Sequence, residues 1–525
     1  MSEVFNLLTQ PLIRTSRPMT LPGVMAALAR DEVDSFPALR PHQGPSWHMF
    51  LVQLGAFALR RSGLTELPED ENAWATVLRN LTSGFADDEP WHLVVDDWAK
   101  PAFLQPPVPD GVTLDGSVLT ADGLDLLITS RNHDIKQAVA RQGQPDDWLL
   151  ALLSVQTGDG YGGARGGYQG IVRMNGGSSS RSMLTLAPLP KGTEKIMTPR
   201  LGARFRRNVK VLLATYEKEI EKYDFYSKNG VGLTWLAPWP NDDQFQLNEL
   251  DIWFIEVCRR IRLRHSEAGL SAVKGMSTAT RINAKHLKGV LGDPFAPVHI
   301  NEQKSLTISS RDFDYSMMIE LLLSGDWKIP LLALPADGDG ETMALVAEAI
   351  GRGNNKTEGF KSRILPISSK FLQTLGVNRQ KLNEIAQSLT KTITVFNKAI
   401  GESLSLAAAQ GVRDNRNKSH YVYAREAQNQ FNRAVDGIFF EHLWVRLDAQ
   451  DEGSAAVDAA KLNFARTLYD LALTAFETAL PGVPCAGMFR PRAESQARRA
   501  FIGYVRRHHP ELFNPSTREG SVHVA

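Results

Sequence analysis

The segment that decides the fold is KFLQTLGVNRQKLNEIAQSLTKTITVFNKAI, residues 370–400, where apolar residues begin to recur at helical spacing. The same pattern returns in three later segments, 420–447, 453–480 and 488–508. Breaks are expected at 401–411, 451–453 and 481–484. Four long amphipathic segments indicate a C-terminal four-helix bundle.

Residues 1–368 have a different texture, because Pro and Gly interrupt short apolar pieces. This half predicts an irregular mixed domain, so the fold class is α+β, with domains at 1–368 and 369–525 and a linker near 366–369. Helices are expected at 46–61, 146–155, 199–223, 246–264 and 341–350. Strands are expected at 5–13 and 124–129.

Composition describes an ordinary globular protein of 525 residues, with 43% hydrophobic and 22% charged residues and a net charge of +1. The two cysteines, Cys258 and Cys485, are far apart, which argues against a disulfide framework or a cysteine-built metal site. The start of the chain lacks the pattern of a signal peptide. The apolar stretch 49–59 is too short to cross a bilayer and predicts a buried helix. We therefore expect a cytoplasmic protein without membrane contact.

Residues 158–177, GDGYGGARGGYQGIVRMNGG, form what we call the glycine block. Glycine loses much chain entropy on folding, so such a cluster favours positive φ or close approach to a polyanion. Arg165, Arg173 and Asn175 lie among the glycines, which makes nucleic acid the partner that fits best. The start of the block has some likeness to a dinucleotide fingerprint, but the later glycines are misplaced for it.

Two polar segments allow two interpretations each. GRGNNKT, residues 351–357, lacks the glycine that a phosphate-binding loop carries before its lysine, here Lys356, so it is either a polar turn or a contact to bases and phosphates. TSRNHDIK, residues 129–136, is either a solvated turn or a nucleic-acid contact.

Cationic runs are either solvated faces or phosphate contacts, and their number favours the second interpretation. In the first half they are Arg200, Arg204, Arg206, Arg207 and Lys210, and Arg259, Arg260, Arg262 and Arg264. In the bundle they are Arg413, Arg416, Lys418 and Arg425, and Arg490, Arg492, Arg498, Arg499, Arg506 and Arg507. Known catalytic motifs are missing from the sequence, so we expect a protein that is not an enzyme, with no cofactor and no metal.

These features in this order resemble CasA, the large subunit of the type I-E CRISPR surveillance complex called Cascade. The opening FNLLTQP, residues 5–11, is similar to the start of that family. The glycine block with its trailing RMNGG, the NNK of 354–356 and the helical C-terminus complete the likeness, which covers most of the chain.

The resemblance implies recognition of the protospacer adjacent motif in double-stranded target DNA, the start of duplex unwinding for R-loop formation, and help in recruiting a helicase-nuclease. The implied partners are the guide CRISPR RNA, the target DNA, the helicase-nuclease, the backbone subunit CasC, the small subunit CasB, the handle-capping CasD and the RNA-processing CasE. Minor-groove readout suits bare glycine backbone, because that groove is only about 6 Å wide.

The resemblance also implies roles for single residues. The flanking motif would meet Gly160, Tyr161, Gly162 and Gly163, the wedge residues Asn354, Asn355 and Lys356, and a lysine finger that is Lys274, Lys285 or Lys288. The guide's 5′ handle or its cap would meet Arg131, Asn132, His133 and Lys136. The DNA backbone would meet Arg413, Arg416, Lys418, Arg498 and Arg499.

The chain departs from the family at two points. It lacks the cysteine-rich element of well-known members, and it has Lys356 where a glutamine is usual. Two alternatives stay open. One is a nucleotide-dependent enzyme that uses 351–357 as a phosphate loop, and the other is a helical adaptor that does not touch DNA.

Overall fold

The computed structural model describes residues 5–125, 143–158, 170–175, 180–190, 198–241, 243–266, 269–277, 279–340, 342–353 and 356–513. The chain divides into two compact units. The first comprises Met1–Phe313 and Glu320–Ser369, and the second comprises Asp314–Ile319 and Lys370–Ala525. The α+β class with a helical C-terminus, predicted from the sequence, is confirmed.

The first unit is a mixed domain of helices around small sheets. Its described helices are Leu21–Ala29, Gly44–Arg61, Glu71–Asn80, Ala121–Leu124, Pro145–Thr157 and Leu201–Lys222. The helix Tyr315–Leu322 is divided between the two units. The helix Gly44–Arg61 contains the stretch 49–59, whose residues are all buried, as the apolar sequence predicted. Aromatic side chains pack around it, with Phe50 edge-on to Phe103 at 5.6 Å between ring centres.

Within the described ranges, the strands of the first unit form five small sheets. Short antiparallel pairs or triplets join Ile13–Arg14 with Pro18–Met19, and Val298–His299 with Lys304–Ser305 and Trp327–Lys328. Gly116–Val118, Gly269–Gly275 and Arg260–Ser266 make a third sheet, and Val231–Leu233 pairs in parallel with Leu250–Ile255. The last sheet places Thr342–Gly353 between Met183–Pro188 and Lys356–Ser368.

Two predicted helices are strands. Residues 246–264 form a short 3-10 turn and then the strands Leu250–Ile255 and Arg260–Ser266. Every residue of Leu250–Ile255 is buried, so the alternation that marks a strand is absent, although β-branched and aromatic residues favour one. Residues 342–350 have good helix formers, but they pair on both sides in a sheet, and this tertiary pairing overrides helix propensity.

The two predicted strands also differ from the structure. Of 5–13, Asn6 makes an isolated bridge and only Ile13 belongs to a strand. Of 124–129, Leu124 ends the helix Ala121–Leu124, and 126–129 lie outside the described residues. The predicted linker at 366–369 is the end of the strand Lys356–Ser368, followed at once by the helix Ser369–Val377.

The second unit contains the four long helices expected from the spacing of apolar residues. They are Arg379–Ala408, Arg425–Glu452, Ser454–Ala479 and Arg490–His508. Phe476 and Phe501 are fully buried and stack with ring centres 4.9 Å apart. Gly453 alone separates two of the helices at φ 103°, a backbone conformation that favours glycine. The predicted break at 401–411 is wrong over its first part, because the first helix continues to Ala408.

Candidate nucleic-acid interface

The glycine block begins where a buried helix ends. Pro145–Thr157 stops at Gly158, and the carbonyl oxygen of Gly158 accepts a hydrogen bond from the Arg181 amide at 3.0 Å. This hydrogen bond joins Gly158, at the start of the glycine block, to Arg181, which follows the end of the block. Gly160, Tyr161, Gly162 and Gly163, the residues predicted to meet the flanking motif, lie outside the described residues.

The far end of the glycine block is fixed inside the first unit. The Val172 amide donates to both carboxylate oxygens of Glu256, at 2.9 and 3.0 Å. Arg173 lies over the Phe254 ring, with its guanidinium carbon 3.9 Å from the ring centre, and donates to the Ile252 carbonyl at 2.9 Å. Arg173 is only 1% exposed, so the expectation that it offers a surface cation beside the glycines is wrong.

Several buried ionisable side chains lie next to Val172 and Arg173. Burial raises the pKa of Glu256 to about 7, against the lowering effects of the Val172 amide and of Arg173 and Arg181. Arg181 holds Asp293 through two hydrogen bonds of 2.6 and 2.7 Å. Burial acts to raise the pKa of Asp293, but the charge and hydrogen bonds of Arg181 outweigh it and lower that pKa. Glu256 therefore holds the main chain at Val172, and its neighbour Arg181 is paired with Asp293.

The strands Thr342–Gly353 and Lys356–Ser368 form a long antiparallel hairpin, which we call the wedge hairpin. Gly353 pairs with Lys356, and Asn354 and Asn355 between them lie outside the described residues. The side-chain oxygen of Ser180, just after the glycine block, accepts a hydrogen bond from the Ile350 amide at 2.7 Å. Ser180, which follows the glycine block, thus contacts Ile350 of the wedge hairpin, although the two residues are 170 positions apart in the sequence.

The three candidate finger lysines are all exposed. Lys288 has a left-handed backbone, with φ 50°, and precedes Gly289, whose missing side chain leaves room for the Met174 backbone. This contact places the Lys288 segment beside the end of the glycine block. Lys285 opens the short 3-10 turn before it.

Lys274 lies on the strand Gly269–Gly275, and its methylene chain crosses Gly116, where an added Cβ would be 2.8 Å from Lys274 Cγ. Lys274 is exposed overall, but burial of part of its side chain lowers its pKa, and the neighbouring charge of Arg259 lowers it further. The Arg259 amide in turn donates to Gln156 Oε1 at 2.8 Å, two residues before the glycine block. Lys274 therefore lies toward the start of the glycine block, and Lys288 lies beside its end.

The segment predicted to contact the guide handle, Arg131, Asn132, His133 and Lys136, lies outside the described residues. The backbone on either side of it is fixed by carboxylates. Asp125 accepts from Gln43 at 2.9 Å and from Arg40 at 3.0 Å, and it pairs with His42 at 2.5 Å. On the other side, Arg14 donates to Asp146 at 2.7 Å. These anchors have no signal in the sequence, because their partners are distant along the chain.

Four of the nine cations in the first-unit runs are buried inside the fold. Arg204 and Arg207 are buried and pair with Glu348 at 3.5 Å and Asp339 at 2.6 Å. The remaining cations of the run 200–210 pair with acids: Arg200 and Arg206 with Asp31, and Lys210 with Glu66. Arg260 and Arg262 are buried and donate to backbone carbonyls. Phosphate contact by these buried arginines is therefore excluded, and they stabilise the fold instead.

The bundle residues that we predict to contact the DNA backbone differ in their exposure and in their ion pairs. Arg413 and Lys418 are exposed, whereas Arg416 pairs with Glu402. Arg498 is held by Glu477 through hydrogen bonds of 2.9 Å. In the described ranges, Arg499 is exposed and forms no ion pair.

Two basic clusters meet at one end of the bundle. Arg492 Nε donates to the Gln410 carbonyl at 3.0 Å. Gly411, at φ 76°, lies against the backbone of Ala493, where a Cβ would be 3.0 Å from the Ala493 Cα. These contacts join the segment before Arg413 to the start of the last helix, so the first cations of the two runs lie at the same end of the bundle, which the sequence did not predict.

Among the described residues, no three His, Cys, Asp or Glu side chains lie close enough together to hold a metal ion. None of the helices in the described ranges has the length and apolar composition needed to span a membrane.

The structure as a whole defines an α+β protein that carries a C-terminal four-helix bundle. Three solved structures are similar to nearly all of it. CasA of Thermus thermophilus is 16% identical, with a TM-score of 0.60 over 96% of this chain and 99% of that one. Cse1 of Acidimicrobium ferrooxidans is 12% identical, with a TM-score of 0.61 over the same shares. Cse1 of Thermobifida fusca is 14% identical, with a TM-score of 0.59 over 97% and 98%.

The chain therefore has the fold of the CasA proteins, which are also called Cse1. The resemblance predicted from the sequence is confirmed as a likeness of fold. No protein-family model matches the chain, and no curated protein matches it by sequence.

Proposed function

We propose that this protein is the CasA-type large subunit of a type I-E CRISPR interference complex. In this role it recognises the protospacer adjacent motif in double-stranded DNA, starts the unwinding that leads to an R-loop, and helps recruit a helicase-nuclease. It acts in the cytoplasm as a non-catalytic subunit beside the guide RNA and the CasB, CasC, CasD and CasE subunits. The likeness of fold supports the assignment, and the Ser180–Ile350 contact carries the proposed site.

The mechanism follows from what each segment offers. Glycine backbone enters a narrow minor groove that side chains would block. The wedge hairpin, held beside the block through Ser180, presents Asn354, Asn355 and Lys356 at the first base step. Opening one step costs a few kcal/mol, which cation contacts and guide pairing offset. One of Lys274, Lys285 and Lys288 supplies the cation in the groove.

The phosphate-loop alternative loses support from the geometry of the wedge hairpin. Residues 351–353 and 356–357 belong to two antiparallel strands. A phosphate loop instead connects a strand to the N-terminus of a helix, where backbone amides gather around the anion. An ATPase activity removed by Lys356→Ala would restore that alternative.

The test compares two DNA substrates with the assembled complex. Gly160→Asp places a carboxylate where we propose contact with the flank, so binding to a correctly flanked duplex is lost while a target already opened as a bubble is still bound. Gly84→Asp is the matched control, because Gly84 is exposed with open space around it and the substitution adds the same charge elsewhere. Equal losses on both substrates, or equal losses in both variants, would contradict the proposal.

A helical adaptor without DNA contact is the remaining alternative. It predicts that charge reversal at Arg498 and Arg499 leaves any salt-dependent DNA affinity unchanged. A flanked-duplex affinity that falls on this substitution excludes it.

A further inference from the structure

Glu256 stands out among the buried groups of the first unit, because it is an acid that bonds to the main chain of the glycine block. It follows the strand Leu250–Ile255 and is 4% exposed. Its two oxygens share the Val172 amide, at 2.9 and 3.0 Å. In the described part of the chain, Glu256 has no ion pair closer than 4 Å, so the contact is to backbone.

The residue after Val172 is Arg173, and the strand Leu250–Ile255 holds its side chain. Arg173 stacks on Phe254 and donates to the Ile252 and Phe254 carbonyls, at 2.9 and 3.3 Å. Ile171 and Met174 on either side are buried together with Cys258. Four consecutive residues at the end of the glycine block are thus fixed to one short stretch of chain.

A neutral side chain at this position would destabilise the fold less than a carboxylate does. Burial raises the pKa of Glu256 to about 7, so the carboxylate is disfavoured by its surroundings. The charged groups around it are Arg173 on the block itself, Arg181 before the strand Met183–Pro188, and Asp293, which Arg181 holds. A further titratable group is Tyr226 after the helix Leu201–Lys222, whose pKa burial raises. Buried ionisable groups that weaken a fold are often found where position matters to function.

We propose that Glu256 is a positioning residue: its carboxylate holds the Val172 amide and thereby fixes the described end of the glycine block, residues 170–175, on which recognition of the flanking base pairs depends. The inference rests on the proposed function and deepens it. A carboxylate holds an amide more firmly than a carboxylic acid or a carboxamide does, because hydrogen bonds to a charged acceptor are shorter and stronger. The recognition of the flank therefore depends on the ionisation of Glu256, whereas the binding of already opened DNA does not.

Glu256→Gln tests this in the assembled complex with its guide RNA. The variant keeps the shape of the side chain, and we expect flanked-duplex affinity to fall about tenfold, the equivalent of one charged hydrogen bond, with bubble affinity unchanged. In the wild type, the ratio of flanked to bubble affinity falls as the pH drops from about 8 to about 6, because the acid, with its pKa of about 7, becomes protonated. In Glu256→Gln that ratio is independent of pH.

Asp251→Asn is the matched control. Asp251 is a buried acid on the strand that ends just before Glu256, and burial also raises its pKa. It accepts a hydrogen bond from Tyr216 at 3.0 Å and pairs with Arg60, and it does not bond to the described part of the glycine block. We expect this variant to change stability but to keep the ratio and its pH dependence. If Asp251→Asn and Glu256→Gln change the ratio alike, the effect is general loosening and the inference is wrong.

The other possible outcomes also test the inference about Glu256. If Glu256→Gln does not assemble, Glu256→Asp keeps the charge with a shorter reach, and it must lower the ratio while preserving its pH dependence. A wild-type ratio that stays constant across the same pH range overturns the inference without any variant. If the wild-type complex shows no preference for a flanked duplex at any pH, the proposed function itself fails, which is a different result.

Discussion

Gly289→Ala is the substitution whose effect on the proposed interface can be worked out most fully. Gly289 has φ 81°, so alanine there adopts a left-handed conformation that costs about 1–2 kcal/mol. Its Cβ would also lie 2.8 Å from the Cα of Met174 and 2.8 Å from Ser305 Cβ. Backbone cannot swing aside as a flexible side chain can, so overpacking adds about 1–3 kcal/mol. We expect a total loss of about 2–5 kcal/mol from the two effects together.

The functional consequence follows from which backbone moves. Displacing Met174 shifts the end of the glycine block and the Lys288 segment apart, so flanked-duplex affinity falls and bubble affinity is kept. Gly338→Ala is the control, because Gly338 has a similar φ of 86° but nothing within 4 Å of its added Cβ. It carries the strain of the conformation without the displacement of Met174.

Urea unfolding followed by tryptophan fluorescence measures the stability, since every tryptophan except Trp444 belongs to the first unit. DNA binding to the assembled complex measures the function. The reasoning is refuted if Gly289→Ala and Gly338→Ala destabilise equally, or if Gly289→Ala lowers flanked and bubble affinities by the same factor.

Three further predictions concern stability and salt dependence. The folded-state pKa of Glu256, about 7, lies above the ordinary value of 4.5, so the wild type loses stability as the pH rises between these two values. In Glu256→Gln, urea unfolding between about pH 5 and 8 should show a loss smaller than that of the wild type by roughly 2–3 kcal/mol, and an equal loss would contradict the burial effect. Phe476→Ala should cost about 3–5 kcal/mol by circular dichroism during denaturation, whereas the part-exposed Ile502→Ala should stay within about 0.5; similar values would mean that the bundle core is misplaced. Arg499→Ala should reduce the salt slope of DNA binding by about 1, and Arg498→Ala should reduce it less because Arg498 is already ion-paired; the reverse order would count against bundle contact with phosphates.

The elements that could be predicted well from the sequence are those whose burial is one-sided or continuous. The bundle helices show an apolar face along their length, and the helix Gly44–Arg61 is apolar through most of its length, so local pattern suffices. Leu250–Ile255 and Thr342–Gly353 were misassigned because their burial comes from strands and helices far away in sequence. Periodicity carries no signal for a strand that is covered on both faces.

The candidate site divides along the same line. Glycine content and polar turns identify the glycine block and the wedge hairpin, and the structure shows that Ser180, after the first, contacts Ile350 of the second. The contacts that hold those segments, such as Ser180 to Ile350 and Glu256 to Val172, join residues 84 or more positions apart and have no local signature. Arg204 and Arg262 were misread for a related reason, since sequence shows a charge but not the acid or carbonyl that pairs with it inside the fold.

The central claim is that the glycine block and the wedge hairpin act together on the first base pairs of the flank. An electron cryomicroscopy reconstruction of the assembled complex on a flanked duplex tests it most directly. We expect residues 160–163 in the minor groove of the flank, with 354–356 at the first opened base step. Finding 160–163 packed inside the protein, away from any duplex, would contradict it.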